Sequence, residues 1–231
     1  MGLKKAGLRG SLRSLSTDVT GIPDSVVNQT VAHYDFSEYD TSTTSDIPDL
    51  SDNGNDLTTG SITGYDTING VQAADFDGVD DFLEPDAGGF NTLTQPFTIF
   101  IVADIDQFNT QHRFFARGSN SSEGVICRNG NPDGDENTRM WAGNFGVDEP
   151  DLSKIVLTHI FDGSESTLRQ NSSESATEDI STNSLDHFQI GGDDGSLLFD
   201  RVMGEVRVVD GTIPSVDLNA YEQKLIEKWN V

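Results

Sequence analysis

The chain has 231 residues, enough for one β domain with a full core, and its 39 acidic against 14 basic residues leave a net charge of −25 and a pI near 4.1. That balance excludes nucleic acid as a partner of the body, because phosphate contacts need clustered Lys and Arg. No apolar run reaches the length of a membrane span, so no membrane insertion is expected, and the lone Cys127 excludes an intrachain disulfide or a cysteine-based zinc site.

The first segment differs in charge from everything after it. Lys4, Lys5, Arg9 and Arg13 all precede the first acid, Asp18, so residues 1–17 carry +4 and the remainder −29. We read residues 1–27 as an extended basic docking tail and residues 28–231 as one domain. "MGLKKAGLRGSLRSLST" offers no continuous apolar h-region, so classical export is not expected.

The first strand is expected in "VAHYDFSE", Val31 to Glu38, followed by the loop "DLSDNGNDL". The stretch "AADFDGVDDFLE" reads as a hairpin closed by an Asp77-Gly78 turn, with Phe76 and Phe82 pointing inward. "PFTIFIVADID" is apolar at alternate positions on both faces, the mark of a strand between two layers. Further strands are expected at residues 113–117, 124–128, 138–142, 155–161, 166–171, 187–191 and 203–209. Their spacing and Gly, Asn and Asp turns predict two packed antiparallel sheets. Leu218, Tyr221, Leu225 and Trp229 recur at helical spacing, with Lys224 and Lys228 toward the end that favours cations. This predicts a helix over 215–230, closing one edge of the sandwich.

These segments in this order resemble the laminin-G-like or concanavalin-A-like lectin/glucanase superfamily. "AHYDFSE", "DLSDNGNDL", "ADFDGVDDFLE", "FTIFIVADI", "FQIGG" and "MGEVRVVDGTIPSVDLNAYEQKLIEKW" carry the resemblance, from about residue 31 to the end. It implies an all-β jelly-roll sandwich with a short C-terminal helix, used for glycan or protein binding and less often for glycoside hydrolysis. Hydrolysis needs two facing carboxylates. The glucanase motifs E-x-D-x-E and E-x-D-x-x-E are absent, and Glu205 matches the family's structural Glu, so no enzyme activity is expected.

Three kinds of site are expected. A glycan platform needs an exposed aromatic ring among polar groups, and Trp141, Tyr65 and Phe108 are the candidates. Calcium takes oxygen ligands; Asp49, Asp52 and Asp56 in "DLSDNGND" match a family loop that often supports a structural ion. His159 alternates with Ile155, Leu157 and Phe161, which predicts a hydrogen-bonded core histidine.

An acidic body rich in Asp, with nine Arg against five Lys, resembles the proteins of extreme halophiles; near molar salt the Debye length falls to ~3 Å and self-repulsion is screened. Together with the tail and the lack of an h-region, this leads to the expectation of a non-catalytic virion protein of a tailed virus infecting a halophilic archaeon. It would be a capsid turret, decoration or tail fibre component on the virion surface, docked to other virion proteins through its tail, facing a host-surface glycan or protein, and forming a homo-oligomer, trimer or pentamer. The alternative is a carbohydrate-binding or adhesion module on the cell surface of a halophilic microbe, or a glycoside hydrolase.

Overall fold

The computed structural model describes residues 21–86, 90–105, 112–116, 126–129, 137–150, 154–192 and 197–231. Lys4, Lys5, Arg9, Arg13 and Phe108 lie outside the described residues. The chain forms α1 (Asp24–Val27), β1 (Thr30–Asp35), β2 (Leu57–Ser61), β3 (Gly64–Ile68), β4 (Val71–Asp77), β5 (Phe82–Pro85), β6 (Phe97–Asp104), β7 (His112–Ala116) and β8 (Ile126–Asn129). It continues through β9 (Asn137–Trp141), β10 (Phe145–Pro150), β11 (Lys154–Phe161), β12 (Ser166–Gln170), β13 (Ser173–Glu178), β14 (Gln189–Ile190) and β15 (Asp200–Asp210) to α2 (Ser215–Trp229).

The strands make two antiparallel sheets. One has eight strands in the order β13-β12-β11-β6-β15-β4-β3, with β1 paired beside the second half of β15; the other has seven in the order β10-β9-β8-β7-β14-β5-β2. The layer between them holds Phe97, Ile99, Ile101, Phe115, Met140 and Phe188 among other fully buried apolar residues. Aromatic pairs tie it together: Phe97 stacks on Phe161 at 4.9 Å and Phe115 on Phe188 at 4.8 Å. The fold is therefore an all-β, two-sheet jelly-roll sandwich.

A second apolar layer explains why β6 is apolar on both faces. Phe100 and Val102 of β6 point away from the sheet-sheet core and meet Leu218, Tyr221, Leu225 and Trp229 of α2. The helix thus lies across the outer face of the eight-stranded sheet, where the sequence led us to expect it over an edge. All four apolar positions of its stripe are buried. Burying residues of this size contributes on the order of 2 kcal/mol each by transfer, so the helix is held mainly by packing.

Two ionic clamps fix its position. Glu205 on β15 accepts from His33 Nε2 at 2.9 Å and Tyr221 Oη at 2.9 Å through one oxygen, and from Lys228 Nζ at 3.0 Å through the other. Lys228 also donates to Asp35. Burial alone would raise the Glu205 carboxyl, but Lys228, His33 and Arg207 hold it well below the usual carboxylate range. On β12, Arg169 grips the fully buried Glu222 of α2 through Nε at 2.8 Å and Nη2 at 2.9 Å, the bidentate geometry that suits guanidinium and carboxylate.

Several expectations are corrected by the structure. The "FDGVDDF" stretch is not a hairpin: β4 pairs with β3 and β15, while β5 pairs with β14 and β2, so the Asp77-Gly78 turn carries the chain from one sheet to the other. Phe76 is buried as expected, whereas Phe82 is only half-buried and Leu83 takes the inward position. Residues 24–27, assigned to the extended tail, form a helical turn whose Val26 is buried beside α2 and whose Ser25 hydroxyl donates to Asp217 at 2.7 Å. Residues 36–38, assigned to the first strand, form a turn of 3-10 helix.

Candidate functional site

The two sheets present different outer faces. That of the eight-stranded sheet is covered by α2; that of the seven-stranded sheet carries polar and aromatic side chains in register. On β9, Thr138 and Met140 are fully buried toward the core, so alternation sends Arg139 and Trp141 outward, and both are partly exposed. Cys127 of β8 belongs to the core, which turns Arg128 outward. Backbone pairing aligns Arg113 with Arg128 and Arg128 with Arg139.

Three arginines from three adjacent strands therefore stand side by side, with Trp141 two residues along β9 from the last of them. Strand spacing of ~4.8 Å puts about 10 Å between the outer two at the backbone. Arg113 and Arg128 are buried, 6% and 3% exposed, so the centre of the face is enclosed while Trp141 and Arg139 at its flank are reachable. All four side chains also make contacts within the chain. A β-bulge between Arg113 and Phe115 lets β7 keep both Phe114 and Phe115 buried while Arg113 stays in the row.

The same face continues across β14 and β5. Ile190 and Leu83 point into the core, so Gln189 and Glu84 point outward. Glu84 Oε2 accepts from Gln189 Nε2 at 2.8 Å and lies 3.3 Å from His187 Nε2. The face thus offers a flat ring, guanidinium donors, an amide and one carboxylate already engaged by its neighbours.

The other glycan candidates do not join Trp141. Tyr65 sits on β3 of the opposite sheet, paired with the core residue Ala74; it packs against the core and its hydroxyl donates to the Thr43 carbonyl at 2.7 Å. Burial pushes this phenol up to about 12. Tyr65 is a strut for the loop before β2. Phe108 lies outside the described residues.

Asp49, Asp52 and Asp56 are not brought together either. The Asp49 carboxylate accepts from the backbone N–H groups of His33, Ser51 and Asn55 and from the Ser51 hydroxyl, at 2.7 to 3.1 Å, which fills its acceptor sites. Asp56 accepts from the Asp49 backbone N–H at 2.7 Å, and Asp52 is exposed at a left-handed turn position. Asp49 organises the loop, as an Asx motif does.

Among the described residues, the carboxylate and imidazole groups that do converge are elsewhere. One set is His33, Asp35 and Glu205, already compensated by Lys228 and Arg207; the other is Asp77, Asp80 and Asp81 at the corner between sheets. In that corner, Asp77 Oδ1 accepts from the N–H groups of Val79 and Asp80, and Asp81 Oδ2 from those of Thr63 and Asp77. These carboxylates shape the turn.

His159 is fully buried in the core as expected, but neither ring nitrogen has a hydrogen-bond partner. Burial lowers its proton affinity to about 3, so it is neutral. The arginine row was missed from sequence because it exists only in cross-strand register; the buried Glu222 was missed because an acidic residue on a helix normally faces water.

No family model and no curated protein matches this sequence. Solved structures do match its fold. Domain 4 of AbnA, an extracellular GH43 arabinanase from Geobacillus stearothermophilus solved in complex with arabinotriose, aligns over 83% of this chain and 97% of its own, at 16% identity and a TM-score of 0.62. Trypanosoma rangeli sialidase in complex with sialic acid aligns over 89% of this chain at 13% identity and a TM-score of 0.60, and a trans-sialidase-active mutant of it over 90% at 11% and 0.60. This chain spans about a third of the sialidase length, 34%. The class defined by fold is thus the β-sandwich domain also found in carbohydrate-active proteins.

Proposed function

We propose that this protein is a non-catalytic carbohydrate-binding domain that holds a saccharide on the outer face of its seven-stranded sheet. The observation that carries the reading is Trp141, a partly exposed indole on β9, two residues from the outward Arg139, on a face that carries the Gln189 amide and Glu84 carboxylate three and four strands across. A sugar ring has apolar faces and a polar rim, and an aromatic plane bordered by hydrogen-bonding groups complements both. Likeness to a domain solved with arabinotriose supports the same reading. Glu84, bound by Gln189 and His187, serves as an acceptor here and not as one of two facing hydrolytic carboxylates. Glycan-array and calorimetric binding, with Trp141→Ala as control, tests the reading; turnover of a bound oligosaccharide would show the domain to be an enzyme.

We further propose the setting: an exposed part of a virion, docked by the basic residues Lys4, Lys5, Arg9 and Arg13. The +4 tail on a −29 body supports it, since opposite charges would guide docking onto an acidic neighbour. Deleting residues 2–17 is expected to abolish incorporation into particles while leaving saccharide binding intact. Normal incorporation would leave the cell-surface adhesion module as the setting.

A further inference from the structure

We propose, resting on the carbohydrate-binding reading, that the face holds a neutral oligosaccharide at two ends: one sugar on Trp141, and another at a second subsite on β5, where it stacks on Phe82 and donates a hydroxyl to Glu84. Phe82 and Glu84 flank the core residue Leu83, so alternation turns both outward, about 7 Å apart along the strand. Backbone pairing sets Ser61 opposite Phe82 and Thr59 opposite Glu84, and both of these hydroxyl residues are exposed. Gly60 lies between them; a Cβ there would come within 3.0 Å of ring carbon Cδ2, so the glycine lets the ring lie close against β2. The half-buried ring, the carboxylate and the neighbouring hydroxyls combine an apolar plane with a polar rim, as a sugar requires.

The carboxylate is arranged to accept. Glu84 Oε2 takes Gln189 Nε2 at 2.8 Å and lies 3.3 Å from His187 Nε2, which fixes the side chain. Its other oxygen, Oε1, meets no donor among the described residues, and the side chain is 20% exposed. An ionised carboxylate only accepts, so the group that meets Oε1 must donate. A sugar hydroxyl does so, in a charge-assisted bond about twice as strong as a neutral one. An ionised acid group would be repelled by Glu84 at contact and by the −25 body at a distance. Arg113, Arg128 and Arg139 are engaged within the chain and do not offset this.

The length of the saccharide follows from sheet order. β5 stands four strands from β9, about 19 Å at the usual strand spacing. The buried Arg113 and Arg128 lie between, so the two ends of the face are reachable and its centre is closed. A chain that touches both ends passes over the centre without entering it, whereas one or two sugars reach only one end. Once the first contact is made the second is intramolecular, and affinity rises with chain length.

The test is calorimetry on the full chain in molar salt. The probes are neutral arabino-, xylo- and cello-oligosaccharides of two and of eight units, and an oligogalacturonate. Glu84→Gln and Phe82→Leu are measured beside Trp141→Ala, with circular dichroism to establish folding. We expect an eight-unit neutral chain to bind at least tenfold more tightly than its two-unit fragment and than the oligogalacturonate. Glu84→Gln and Phe82→Leu should each weaken that binding at least tenfold. Wild-type affinity in both of these variants, with loss in Trp141→Ala, would overturn the second subsite and leave the carbohydrate reading standing. Oligogalacturonate bound as tightly as the neutral chain would overturn the neutral assignment. Failure of every probe and of a broad glycan array would overturn both the subsite and the reading.

Discussion

At the scale of single residues, two deeply buried carboxylates are each answered by facing donors. Glu205 takes donors on both oxygens, and Glu222 is chelated by Arg169. Gly204 belongs to the same design: a Cβ there would sit 2.7 Å from the Trp229 ring, so the glycine at the β15 bulge lets the indole lie flat on the strand.

His159 differs: it is a buried neutral imidazole with two unanswered nitrogens. Its unfolded form takes up a proton near the ordinary value of 6.5, while the folded form resists until about 3. The unfolded state therefore binds more protons between those values, and stability falls as pH drops through 6.5 toward 3. His33 is shifted in the same direction, by burial first and Arg207 second. We predict that His159→Leu flattens the acid limb of a melting-temperature profile, by on the order of 4 kcal/mol at its lower end. An unchanged profile would mean that His159 finds a partner in solution.

At the scale of elements, legibility followed the strength of local periodicity. β6 was readable because apolar residues on both faces can only mean a layer on each side, and α2 because its apolar spacing repeats over three turns. β2, β3, β10 and β13 were not anticipated: "LTTGS" and "SESATE" have no apolar alternation, and their strand state comes from neighbours in the sheet. The corner at Asp77-Gly78 failed for a related reason. Turn chemistry specifies that the chain reverses, but whether the next strand pairs with the last or crosses to the other sheet depends on distant partners. In the candidate site, the strand that carries Trp141 was legible as a strand, while the arginines beside the ring were invisible without register.

The attachment of α2 gives a prediction at the same scale. Removing one member of a buried ion pair leaves the other uncompensated, which costs roughly 3–5 kcal/mol, whereas replacing both by apolar groups is often neutral. Arg169→Leu should thus lower stability sharply in urea unfolding, and Arg169→Leu with Glu222→Leu should recover most of the loss. Additive losses would show that the clamp is not a closed pair. Asn219, which accepts from Arg169 at 2.6 Å, stays available as a polar neighbour in the single Glu222 variant.

At the scale of the whole molecule, charge governs the conditions under which the fold persists. A net charge of −25 spread over 231 residues favours expansion in dilute buffer, and salt near molar concentration screens it. We predict that the melting temperature rises steeply with potassium chloride and that the sheet signal in circular dichroism is lost on dialysis to low salt. A salt-independent melting curve would mean that packing alone carries the fold. Contact pairs such as Arg169 with Glu222 are buried and far less screened than surface charges, so helix attachment is expected to outlast surface ion pairs as salt increases.

The same scale sets the division of labour between sheets. One outer face is sealed by a helix and two ionic clamps, while the other keeps an aromatic ring and a row of guanidinium groups in register. Saccharide binding by this second face is measured directly by calorimetric titration of the folded protein in molar salt with oligosaccharides drawn from a glycan-array screen, beside Trp141→Ala. We predict saturable binding that falls at least tenfold in the variant, with the melting temperature of the free protein unchanged. Binding of equal strength in Trp141→Ala, or no binding to any saccharide by the folded wild-type chain, would contradict it.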